Sequence, residues 1–146
     1  MLSRQYFLNR AVSHAVTMKN PSIYIEKNGA KRCRYRANKH RRDTGRCLIG
    51  ACILDSAYSA SLEGNNAGFL LSTKHNLSEL FGDVVEPDVD RVFLNDLQCC
   101  HDSVGEEIQY CGLPEGDWNK QMLRNLSIFC TEQTLVWPSW IERPAV

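Results

Sequence analysis

The chain has 146 residues, ordinary apolar and charged shares, and 17 Lys/Arg against 17 Asp/Glu, so its formal net charge is zero. That length suits one domain whose core needs no disulfide or metal staple, and the composition excludes a disordered, collagen-like or disulfide-framework chain. No run approaches the roughly 20 apolar residues of a membrane span, so no membrane partner is expected.

Residues 2–18 place Leu8, Val12, Ala15 and Val16 at helical spacing, and Asn20-Pro21 stops the run. Ser22 to Glu26 alternates, Asn28-Gly29 supplies the positive φ of a tight turn, and Lys31 to Arg36 alternates back. This pattern predicts an antiparallel hairpin with Arg32, Arg34 and Arg36 on one face. A polar loop over 37–45 leads into a short apolar run, 46–54, that suits a buried strand or the start of a buried helix.

After an irregular, Gly- and Asn-marked stretch, Asn76-Leu77-Ser78-Glu79 reads as a capping box opening a helix that Gly82 closes. Pro87 suits the first position of the next helix, with Val89, Val92, Phe93, Leu97 and Cys100 as its apolar face and Gly105 as its stop. Asp117 caps a last helix that turns Trp118, Met122, Leu126, Phe129 and Cys130 inward. The expected fold is therefore α+β, a short antiparallel hairpin or sheet flanked by three to four helices. It forms one compact domain over 1–133, and the Trp/Pro-rich tail 134–146 docks on that domain or on a partner.

The charge is segregated along the chain. Residues 27–46 hold nine Lys/Arg and one acid, Asp43, whereas from Cys47 onward five Lys/Arg face fifteen Asp/Glu. Such a field attracts anions although the whole molecule is neutral. Guanidinium groups pair two-pronged with phosphate oxygens, and a tyrosine stacks on a base. Arg34, Arg36, Arg41, Arg42 and Arg46, with Tyr35, are thus the candidate ligand-binding residues. The alternatives are internal pairing of these arginines with the acidic half, or a plainly solvated face.

Seven cysteines, at 33, 47, 52, 99, 100, 111 and 130, leave an odd thiol and contain no C-x-x-C pair. With no apolar segment of secretory-signal length, they read as thiols of a reducing compartment, packed as small hydrophobes. Arg4 and Arg10 without an acid in residues 1–25 give only a loose likeness to a mitochondrial presequence. A catalytic alternative assembles Cys47 as nucleophile, His101 as base, and Asp102 or Glu63 as orienting acid. The bland alternative buries Cys47 and makes His101 a helix-end residue. The spacing of the Cys and His residues fits no zinc signature, and no phosphate loop or hydrolase motif is present, so neither metal nor cofactor is expected.

Several short words recur in a pattern: Cys33-Arg34-Tyr35-Arg36, Gly45-Arg46-Cys47-Leu48-Ile49-Gly50, Ile53-Leu54-Asp55 with Tyr58, Leu62-Glu63-Gly64, and Leu94-Asn95-Asp96-Leu97-Gln98-Cys99-Cys100-His101-Asp102. This pattern, over roughly residues 6 to 130, resembles a group of small proteins encoded by bacteriophages and prophages. The loop Lys39 to Arg42 and the Trp-rich tail depart from it. The resemblance implies origin rather than mechanism, namely a protein made in the cytoplasm of an infected host bacterium. Proteins of this kind block a host enzyme, shield a phage component or sequester a host signal. The leading expectation is an interaction or counter-defence protein that uses its Arg-rich hairpin and loop. Its ligand would be anionic, either a phosphorylated, nucleotide-like small molecule or an acidic surface of a host protein. A small Cys/His-dependent hydrolase or transferase is the rival, and a nucleic-acid-binding accessory protein the third reading. A homo-oligomer is compatible with all three.

Overall fold

The computed structural model describes residues 1–18, 22–25, 31–35, 46–63, 77–110 and 117–145. Its described part is helical. Helix α1 spans Arg4–Thr17, α2 Leu77–Phe81, α3 Arg91–Tyr110 and α4 Trp118–Glu132, with a short 3-10 turn at Ala60–Leu62.

Helix α1 begins where Ser3 accepts the Tyr6 N–H through its hydroxyl, at 3.2 Å, satisfying one of the free donors of the first turn. Phe7, Leu8, Ala11, Val12 and Ala15 form its buried face, while Val16, expected inside, is exposed. Helix α4 packs against both α1 and α3. Its Trp118, Met122, Leu126, Phe129 and Cys130 are buried as their spacing predicts. Edge-on contact of Phe7 with Phe81, centroids 5.0 Å apart, ties α2 to α1.

The α+β expectation is overturned. The domain is an assembly of helices, and no sheet layer stands against them among the described residues. Residues 23–25 run antiparallel to 31–33, with Tyr24 opposite Arg32, but this pairing is three residues deep and two strands wide. The Asn28-Gly29 turn lies outside the described residues. The segment is held as a strap on the helical body. The Ser22 N–H bonds to a side chain of α3, and the Cys47 N–H donates to the Tyr35 carbonyl at 3.2 Å. An isolated two-stranded ribbon is marginal in water, so the helices supply its support.

Helix boundaries also depart from expectation. Pro87 precedes α3 instead of opening it, because Asp90 caps the helix by accepting the Phe93 N–H at 2.8 Å. Gly105 does not stop α3, which continues to Tyr110. A mid-helix glycine costs roughly 1 kcal/mol, and the burial of Leu94, Leu97 and Val104 on the same helix outweighs it. Val92, expected in the core, is exposed, and Leu94 takes its place. Asp117 makes no capping bond to α4; it pairs with Lys120 at 3.3 Å. The apolar run 46–54 is neither strand nor helix but a buried turn, in which Ala51 N–H donates to Cys47 O and Cys52 N–H to Ile49 O.

The tail turns back on the body. Val136 exchanges two hydrogen bonds with the Gln5 amide, and Arg143 donates to the hydroxyl and carbonyl oxygens of Ser127 at 2.8 and 2.9 Å. Trp137 is half-buried and donates to Ile141 O, whereas Trp140 stays exposed. No helix among the described residues is long and apolar enough to cross a membrane.

Candidate functional site

Helix α3 places Gln98, His101 and Asp102 on one face, since residues three and four apart stand above one another. His101 is completely buried. The Ser22 backbone N–H donates to its Nε2 at 3.1 Å, which requires that nitrogen to be unprotonated. The proton therefore sits on Nδ1, assigned from this bonding, and Nδ1–H donates to Asp102 Oδ1 at 3.1 Å. The same oxygen accepts Gln98 Nε2 at 2.7 Å, and Gln98 Oε1 accepts the Ile49 N–H at 3.3 Å. One chain of bonds thus runs from the 22–35 strap through α3 to the 46–50 turn.

Cys47 lies at that turn, fully buried, with its Sγ accepting the Gly50 N–H at 3.1 Å. Burial pushes its thiol well above the ordinary range, and the nearby Asp102 and Glu63 charges push it further, against the opposing Gly50 and Gln98 bonds. Tyr35 is also buried, and its N–H donates to Glu63 Oε2 at 3.0 Å. Its phenol is raised by burial, then by Cys47, Glu63 and Asp102. Glu63 Oε1 accepts the Tyr58 hydroxyl at 2.7 Å. From the α1 side, His14 Nε2–H donates to Arg46 O at 2.8 Å, and burial lowers the His14 pKa.

The structure therefore gathers Cys47, Glu63, His101 and Asp102, the four residues of the catalytic alternative, around one buried turn. Their chemistry there is that of a polar core. The imidazole lone pair needed by a general base is occupied by a backbone N–H, and the thiol is held protonated. Ser22, Gln98 and Gly50 complete the cluster and were not anticipated. Asp102, His101 and Ser22 even fall in the order acid, imidazole, serine. Yet the group reaching Nε2 is the Ser22 N–H, and the Ser22 hydroxyl is buried with no hydrogen-bond partner among the described residues. The spacing of Gln98, His101 and Asp102 was a readable signal. Ser22 N–H carried none, because every residue but proline has that donor.

Of the anion-binding candidates, Arg36, Arg41 and Arg42 lie outside the described residues. Arg46 is ion-paired with Asp55 at 2.8 Å, and Arg34 is half-buried with its N–H on Ser22 O. Tyr35, buried at 4 % exposure, is a packing residue and offers no surface for stacking. Cys47, Cys52, Cys99, Cys100 and Cys130 are free thiols. Among the described residues no group of His, Cys, Asp or Glu is arranged to hold a metal ion. The chain matches no family model, no curated protein and no solved structure.

Proposed function

We propose that the protein acts by binding rather than by chemistry, as a phage-encoded interaction or counter-defence protein of the host bacterial cytoplasm. Its ligand is a compact anion, a nucleotide-like phosphorylated molecule or an acidic patch of a host protein. The single observation that carries this reading is the concentration of nine Lys/Arg against one acid in residues 27–46 of a neutral chain. The bonding of the Cys47–His101 cluster supports it, because each group a hydrolase would need is already committed to holding the fold together. The phage origin rests on the resemblance of the sequence words alone.

Arg36, Arg41 and Arg42, with the neighbouring Lys39, are the contacts of this reading. Arg46 contributes less, since Asp55 already neutralises it, and Tyr35 contributes none. A long nucleic acid is disfavoured, because affinity for it grows with the number of phosphates neutralised and the fifteen acids from Cys47 onward would repel it. Native mass spectrometry of the chain purified from infected bacteria tests the proposal. A co-purifying phosphorylated molecule or acidic protein, lost as salt rises, is the expected result. Recovery of an acylated or otherwise turned-over adduct on Cys47 would replace binding with catalysis.

A further inference from the structure

A second surface, opposite in charge to the basic segment, lies along the seam where α3 and α4 meet. A groove of about 300 Å³ runs there, with Asp96, Cys99 and Cys100 contributed by α3 and Ile128, Phe129 and Glu132 by α4. Cys100 and Phe129 are buried and floor it. Ile128 on its wall is 37 % exposed, and Val92, one turn before Asp96 on α3, is 65 % exposed. An apolar strip therefore adjoins two carboxylates.

Three sources of negative potential converge at that end. Asp96 and Glu132 both act on the Cys100 thiol, which burial first, then Cys99 and these carboxylates, push up to about 12. Glu132 is the last residue of α4, at the negative end of the helix dipole, and no basic residue of the helix stands in that last turn, although backbone N–H groups of Gln133, Thr134 and Leu135 cap its carbonyls. An acid at this position is unfavourable for the isolated chain. Among the described residues neither Asp96 nor Glu132 has an ion-pair partner, although Asp55, Asp83, Asp88, Asp90 and Asp117 each have one. Apolar contact beside uncompensated negative charge selects a ligand that carries both an apolar body and a cation.

We propose that the α3–α4 groove docks a basic amphipathic segment of a partner protein. A Lys or Arg sits between Asp96 and Glu132, and apolar side chains lie on Ile128 and Val92. From Asp96 to Ser103 the groove spans two turns of α3, roughly 10 Å, which matches two turns of a docked helix. This surface is independent of the anion-binding segment, so the chain would bridge a basic and an acidic partner.

The test titrates a short helical Leu/Lys peptide into the 15N-labelled full chain, beside the same peptide with Gln, or with Glu, at every Lys position. The Leu/Lys peptide should shift amides of residues 96–103 and 125–132. Its affinity should fall roughly tenfold or more in the Asp96→Asn/Glu132→Gln double variant, a loss of one ion-paired cation. The variant's melting temperature should be unchanged or higher. Equal binding of the Gln peptide would reduce the groove to an unselective apolar patch and overturn the proposal. Shifts centred on Asp83 or Asp88–Asp90 would do the same. Sedimentation of the wild type alone identifies the remaining occupant: self-association abolished by the double variant would assign the groove to a second copy of this chain, against the partner proposed.

Discussion

The two faces of helix α3 use similar residues to opposite ends. On the inward face Gln98, His101 and Asp102 bond to one another and to two distant segments, through Ser22 and Ile49, and the bonds of both His101 nitrogens are accounted for. On the outward face Asp96 and Cys99 are exposed, and Asp96 carries a charge with no partner among the described residues. A polar group inside a low-dielectric core must be matched or it costs free energy, whereas water tolerates the same group unmatched. Residue type alone therefore does not separate a structural cluster from a recognition surface. The accounting of bonds does, and it assigns the Cys47–His101 cluster to the fold.

The largest expected effect probes the turn beneath that cluster. A Cβ on Gly50 would lie 2.1 Å from the Tyr35 carbonyl oxygen and 2.8 Å from its carbonyl carbon, both backbone atoms that cannot rotate away. Gly50→Ala should cost about 3 kcal/mol, lowering the melting temperature by roughly 6–12 °C. A variant as stable as wild type would show that the strap is not seated on the 46–50 turn.

Removing His101 comes next. His101→Ala strands the buried Ser22 N–H and opens a cavity, at a cost of about 2–3 kcal/mol. Hydrogen exchange at the Ser22 amide should accelerate more than exchange at Leu97 or Leu126. Uniform acceleration would mean that the bond does not hold the strap individually.

His14 gives a smaller, pH-dependent contrast. Its pKa is depressed from 6.5 chiefly by burial, with the positive charges of Arg46 and Arg10 adding to this and the bond to Arg46 O opposing it. The unfolded chain then binds more protons than the folded one below that value, so the His14 contribution is fully present above pH 6.5 and is lost as pH falls through the folded pKa. Urea denaturation from pH 7.5 to 5 should show this loss, and His14→Asn should flatten it. The outward face should respond least and with the other sign. Glu132→Gln removes an acid from a helix C-terminus and should stabilise by about 0.3–1 kcal/mol, an effect that added salt erodes.

Much of the helical body was legible, and the reasons are local. The apolar spacing of Leu8, Val12 and Ala15 and of Trp118 to Cys130 marks a helix without reference to anything distant. Boundaries failed where two local signals competed. Pro87 and Asp90 both suit a helix start, and the Asp90 bond to Phe93 decides it. The α+β reading failed because alternation over 22–36 predicts a pairing but not its weight in the fold, and three paired residues a side do not build a layer. Within the cluster, Cys47, Glu63, His101 and Asp102 were each chosen by chemical type, but type cannot tell a poised base from one whose lone pair is filled. That distinction rests on Ser22 N–H and Ile49 N–H, backbone groups contributed from 79 and 49 residues away.

The central claim is that the basic segment binds and the buried cluster only supports. Its most direct test measures, on the Arg41→Glu/Arg42→Glu double variant, both the melting temperature and the co-purifying partner seen by native mass spectrometry. The account predicts an unchanged melting temperature, because both arginines fall in the polar loop that the sequence predicts over 37–45 and substitutions in such loops usually move stability by under about 0.5 kcal/mol, together with loss of the partner. A lowered melting temperature with the partner fully retained would show that these arginines pair with the acidic half of the chain, and would contradict the account.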